Sequence, residues 1–90
     1  MDTNITEKLR SEILIALPEL PLEQAEKIAI TNGVSSKTVY RYWKKFKEGS
    51  NEISNIMIAI TELAASRKME AERNQKRLAR ATEQLSGAAA

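Results

Sequence analysis

The chain has 90 residues, room for one small domain and too few for two separate cores. It is 42% hydrophobic and 29% charged, the composition of a soluble globular domain, and 14 Lys and Arg against 12 Asp and Glu leave a net charge of only +2, which by itself does not argue for nucleic acid. The absence of Cys and His excludes disulfide frameworks, thiol nucleophiles, imidazole bases and Cys/His zinc sites.

The first expected element is a helix over 4–17. Asn4 is placed to cap it, with Glu7 three residues on as the capping-box partner. Ile5, Leu9, Ile13 and Leu17 form its apolar stripe, thickened by Leu14. Pro18 ends it, because proline has no N–H for the helix ladder and restricts the residue before it. Pro18-Glu19-Leu20-Pro21 is then a stiff connector, and Pro21 suits the first turn of the next helix.

A second helix fits 22–32, with Leu22, Ala25, Ile28 and Ala29 on one side and Asn32-Gly33 as its stop signal. Val34 follows as a corner plug. Ser35 is a good cap for a third helix over 36–48, which Gly49 closes. Ser50 or Asn51 caps a fourth, and nothing interrupts it until Ser86-Gly87. That helix would run about 35 residues, or about 50 Å. The tail 87–90 carries no structural signal and is expected to be disordered. No secretory signal and no apolar run long enough for a membrane span is read, so the expected address is the cytoplasm of a prokaryotic or phage-infected cell.

The near-neutral total hides a segregation. Residues 1–33 carry six acids and three bases; residues 34–49 carry five bases and one acid. All four aromatics, Tyr40, Tyr42, Trp43 and Phe46, fall in that basic stretch. At about 100° per residue, Val39, Tyr42, Trp43 and Phe46 share one face, and Lys37, Arg41, Lys44 and Glu48 lie opposite. The aromatics are therefore read mostly as core, and the bases as the outer face of a helix of the kind that enters a major groove.

The stretch from Ala25 to Phe46 thus has the ingredients of a helix-turn-helix: small Ala29 at the crossing, Gly33 at the turn, Ser35 as cap and Val39 packing back. Gly33-Val34-Ser35 followed by Thr38-Val39-Tyr40-Arg41-Tyr42 resembles the turn and recognition helix of TetR-type repressors and Hin-type invertases. The likeness covers about 25 residues, and Asn32 departs from it, standing where the pattern has an apolar or small residue. A chain this short is not expected to carry the ligand-binding domain of the former or the catalytic domain of the latter. The resemblance implies base-edge contacts from Ser36, Lys37, Tyr40 and Arg41, with Ser35 beside them, and phosphate contacts from Lys44, Lys45 and Lys47. For Lys45 and Lys47 the plainer alternative is solvation.

The fourth helix carries two interleaved seven-residue series, one of Met57, Ala64, Ala71, Leu78 and Leu85, the other of Ile53, Ile60, Arg67, Asn74 and Ala81. Together they make a coiled-coil-like stripe, dense over 53–64 where Ile56 and Leu63 add to it, and sparse beyond. One reading is a homodimer or higher oligomer joined through this stripe. Another is that 53–64 completes the head's own core. The bases Arg67, Lys68, Arg73, Lys76, Arg77 and Arg80 offer a second nucleic-acid surface as a third reading, but Glu70, Glu72 and Glu83 interleave with them, and pairing within the helix is the cheaper expectation.

The expected architecture is all-α: a helix-turn-helix head over 1–49, a long oligomerisation helix over 50–86, and the tail. The expected function is sequence-specific binding of double-stranded DNA by a small homo-oligomeric regulator of transcription. Alternatives are a DNA-recognition assembly protein, such as a phage small terminase subunit or a plasmid-partition adaptor, and a protein-interaction scaffold. An enzyme is not expected, because catalytic residue types are missing and Glu19 and Glu23 lie on expected surface. No metal, cofactor, small-molecule ligand or membrane partner is expected.

Overall fold

The computed structural model describes residues 5–88. It contains four helices and, among the described residues, no strand: α1 (Glu7–Ala16), α2 (Leu22–Asn32), α3 (Ser36–Lys47) and α4 (Asn55–Ala88). No helix among the described residues is long and apolar enough to cross a membrane.

Helix α1 starts later than expected. Thr6 caps it, its Oγ1 accepting from the Leu9 N–H at 3.1 Å, while Asn4 lies outside the described residues. Glu7 becomes the first helical residue, where its charge suits the positive helix end. Pro21 caps α2 rather than opening it: its φ of −62° is helical, but its ψ of 145° is extended. Gly33 ends α2 in the left-handed region, at φ 66° and ψ 32°. The Gly33 N–H then donates to Ile30 at 3.3 Å and the Val34 N–H to Ala29 at 3.0 Å, which satisfies the orphan carbonyls of the last turn. Asn32 folds its amide back onto the Ile28 carbonyl at 2.8 Å, so the residue that departs from the familiar pattern serves the same helix end.

Ser35 caps α3, accepting from the Thr38 N–H at 3.3 Å. Val39, Trp43 and Phe46 are buried, and the Trp43 and Phe46 rings stack with centroids 5.6 Å apart. Tyr42 is half-buried against them. Val34 does not seal the corner as expected; it is 38% exposed, and its contribution is the backbone N–H.

The end of α3 is held by Arg10, a buried cation on α1. Its Nη1 donates to the carbonyls of Phe46 and Ser50, its Nη2 to the Gly49 carbonyl and to Asn51 Oδ1, and its Nε to Glu7 at 3.3 Å. All five guanidinium N–H groups are therefore used. The guanidinium also lies 5.0 Å from the centre of the Phe46 ring.

This anchor delays α4. Of the two expected caps, Asn51 gives its side-chain oxygen to Arg10, and Ser50 gives its carbonyl to Arg10 while its Oγ accepts from the Glu52 N–H at 3.3 Å, and 51–54 stays non-helical. Ser54 takes the cap instead, its Oγ accepting from the Met57 N–H at 3.2 Å. Ile53 falls outside the helix and is 45% exposed, so it cannot belong to a helical seam. At the other end α4 continues through Gly87 to Ala88, where a disordered tail was expected; Ala89 and Ala90 lie outside the described residues.

The core draws on all four helices. Ile56, Met57, Ile60 and Ala64 are buried against α1–α3, and Leu63 packs at the edge. Four residues assigned to a self-association stripe thus complete the head of a single chain, because three short helices leave one side of Trp43 and Phe46 to be covered. Packing runs unbroken across 49–50 and stops after Ala64. From Ala65 to Gly87 every residue is exposed except half-buried Arg67. The radius of gyration is accordingly 17.1 Å, against about 12 Å for a compact domain of this length.

Two stability measurements check this account. Trp43→Ala is expected to cost about 3–5 kcal/mol in urea unfolding, most of the stability of a domain this small. Arg10→Met keeps the aliphatic stem but leaves several buried carbonyls without donors, and is expected to cost about 3 kcal/mol. A loss below about 1 kcal/mol for Arg10→Met would show that water replaces the guanidinium without penalty.

Candidate nucleic-acid interface

Helix α3 is fixed on one face and free on the other. Val39, Trp43 and Phe46 lock its rotation from within. The Arg10 contacts fix its C-terminal end, and the Ser35 cap its start. Lys37, Arg41, Lys44 and Lys45 are left on the exposed side, with Ser36 half-buried at the start of the helix.

The electrostatics of this face are one-sided. Among the described residues, ion pairs within 4.0 Å join Arg10 to Glu7 and Lys27 to Glu23; none involves a base of α3. Glu48 is the single acid between Val34 and Gly49. Lys37 stands near the N-terminal end of α3, where the helix dipole adds positive potential. Lys44, Lys45 and Lys47 stand in the last turn, where they oppose the negative end.

Three expected contact residues have other duties. The Tyr40 hydroxyl donates to the Leu20 carbonyl at 2.8 Å, and the ring packs against the core. Its proton is committed to tying α3 to the α1–α2 connector, so Tyr40 is a brace and not a base-edge donor. Ser35 Oγ is engaged by the Thr38 N–H and lies 3.2 Å from Thr38 Oγ1. Lys47 holds its ammonium 5.7 Å from the centre of the Trp43 ring, which draws it to the side of the helix. The face that remains is Ser36, Lys37, Arg41, Lys44 and Lys45.

The bases of the exposed half of α4 behave differently from expectation. Among the described residues, no ion pair within 4.0 Å links Arg73, Lys76, Arg77 or Arg80 to Glu70, Glu72 or Glu83. Sequence reading also passed over Arg10. The signal was there: Arg10, Ile13 and Leu17 share one helical face, and a lone arginine in an apolar stripe marks a buried cation that needs acceptors.

No protein-family model matches this chain, and no curated protein or solved structure shows significant similarity to it.

Tyr40→Phe separates a brace from a contact. It is expected to lower stability by about 1 kcal/mol in urea unfolding and to leave affinity for duplex DNA unchanged. A tenfold loss of duplex affinity at unchanged stability would return Tyr40 to the interface.

Proposed function

We propose that this protein binds double-stranded DNA through the outer face of α3, as a small helix-turn-helix protein that self-associates through α4. One observation carries the reading: Lys37, Arg41, Lys44 and Lys45 project from a helix whose opposite face is locked into the core, with no carboxylate within 4.0 Å of them among the described residues. A merely solvated face is usually interleaved with acids. Here the acids are concentrated elsewhere in the head, and the bases stay free for phosphates and base edges.

The roles divide by chemistry. Arg41, in the second turn, has a planar fork that spans two acceptors of one guanine. Lys44 lies one turn later on the same face, where a groove-bound helix drifts toward the backbone, and its ammonium suits phosphate. Lys37 and Ser36 flank the entry of the helix. Such a module, present in two or more copies, is the working part of a transcriptional regulator in the cytoplasm of a prokaryotic or phage-infected cell.

The test is affinity for a selected duplex and a random duplex at several salt concentrations. Arg41→Ala is expected to cost about 1–3 kcal/mol on the selected site and much less on random DNA. Lys44→Ala is expected to weaken both alike and to reduce the salt slope by about one counterion. Equal losses on both duplexes for Arg41→Ala would make it a phosphate contact, and salt-independent affinity would overturn the DNA reading.

A further inference from the structure

The exposed half of α4 has a surface with a definite geometry. At about 100° per residue, Ala71, Leu78 and Leu85 lie within about 60° of arc with Ile60 and Ala64, the residues by which α4 packs on the head. The intramolecular interface therefore continues past the head along the same face, uncovered. Leu78 is 68% and Leu85 78% exposed. The chain as a whole exposes 6812 Å², whereas a compact monomer of this mass exposes about 5,300 Å². The surplus of about 1,500 Å² is spread around the whole protruding helix, so one face of it is comparable with the roughly 800 Å² that a standard interface takes from each partner.

The head limits what can cover this stripe. Helices α1–α3 pack on the same face of α4, so a second α4 laid parallel would bring a second head into the space of the first. Antiparallel order removes that clash and brings each helix tip to the other head. There, the end of α1 and α4 form a groove of about 300 Å³ in which Ile15, Ala16 and Ala71 are flanked by the charged Glu12, Arg67, Lys68 and Glu72. Ile15 stands on its rim, 80% exposed. Leu78 is seven residues from both Ala71 and Leu85, so pairing centred on Leu78 sets a large Leu85 over a small Ala71 at both ends at once. Such self-complementarity is what a two-fold interface requires.

We propose that two copies of this chain pair antiparallel through the exposed length of α4, centred on Leu78, with Leu85 of each seated in the Ile15–Ala16–Ala71 groove of the other. This rests on the self-association part of the proposed function and not on DNA binding. Arg73, Lys76 and Arg80 fall on the side of α4 opposite the stripe and point away from the seam, Arg77 flanks it about 100° from Leu78, and Arg67 lies within it at the head end. Residues 65–88 carry six bases and three acids, and pairing is therefore expected to hold or tighten in salt, the opposite of a duplex complex.

The chain has no cysteine, so single-cysteine variants of the full-length protein report the register directly. Leu78→Cys is expected to cross-link to itself on oxidation. Leu85→Cys alone is expected not to, because its two copies would sit about 21 Å apart along the axis. Mixed Ala71→Cys and Leu85→Cys are expected to give the heterodimer. In equilibrium sedimentation, Ile15→Glu and Leu78→Glu are each expected to raise the dimer dissociation constant at least tenfold, with the helical signal and melting of the head retained. A full-length monomer at tens of micromolar would overturn the proposal together with the self-association reading. A dimer in which Leu85→Cys cross-links to itself as readily as Leu78→Cys, or one indifferent to Ile15→Glu, would overturn the antiparallel pairing alone. Absent duplex binding by a cross-linked dimer would fall on the DNA reading and leave this one standing.

Discussion

The head depends on one guanidinium. Arg10 is 6% exposed, and a buried charge of this kind is tolerated only when its hydrogen-bonding capacity is met. Glu7 cannot neutralise it, since that carboxylate is largely in water and its pair is worth little. Compensation comes instead from the carbonyls at and beyond the end of α3 and from Asn51, at the negative pole of the helix. One side chain from α1 thereby sets where α3 ends, what path 49–51 follows, and how late α4 begins.

That constraint reaches the candidate interface. A groove-reading helix needs a fixed rotation, and α3 has one because its core face is gripped at several points: Trp43 and Phe46 stacked inside, the Arg10 plane on Phe46, and the Tyr40 hydroxyl on Leu20. The aromatics and bases that are mixed in sequence are sorted by the helix into opposite faces. The residues that hold α3 are then distinct from those offered outward, which is why Tyr40 belongs with the first group despite its place among the second in sequence.

Helix α4 uses one apolar face for two purposes. Its first three turns close the head through Ile56, Met57, Ile60 and Ala64. The same face then runs beyond the head with larger gaps between apolar residues. A stripe that thins from dense to sparse is consistent with a change of partner along one helix, from the chain's own core to a weaker and separable contact. The head consequently ends inside a continuous helix and not at a linker.

Local chemistry determined much of this protein from its sequence alone. Gly33, Ser35 and Pro18 mark chain reversals through effects confined to a few neighbouring residues, and the placing of α2 and α3 follows within a residue. The split of α3 into a core face and a basic face follows from the 3.6-residue period. Tertiary structure decided what depends on distant partners. Arg10 meets acceptors 36 to 41 residues away, and nothing near it in sequence announces them. Those contacts removed Asn51 as a cap, and Ile53 falls outside α4. The assignment of Ile56, Met57, Ile60 and Ala64 was equally beyond periodicity, because a helical stripe records that a face is buried but not against which surface.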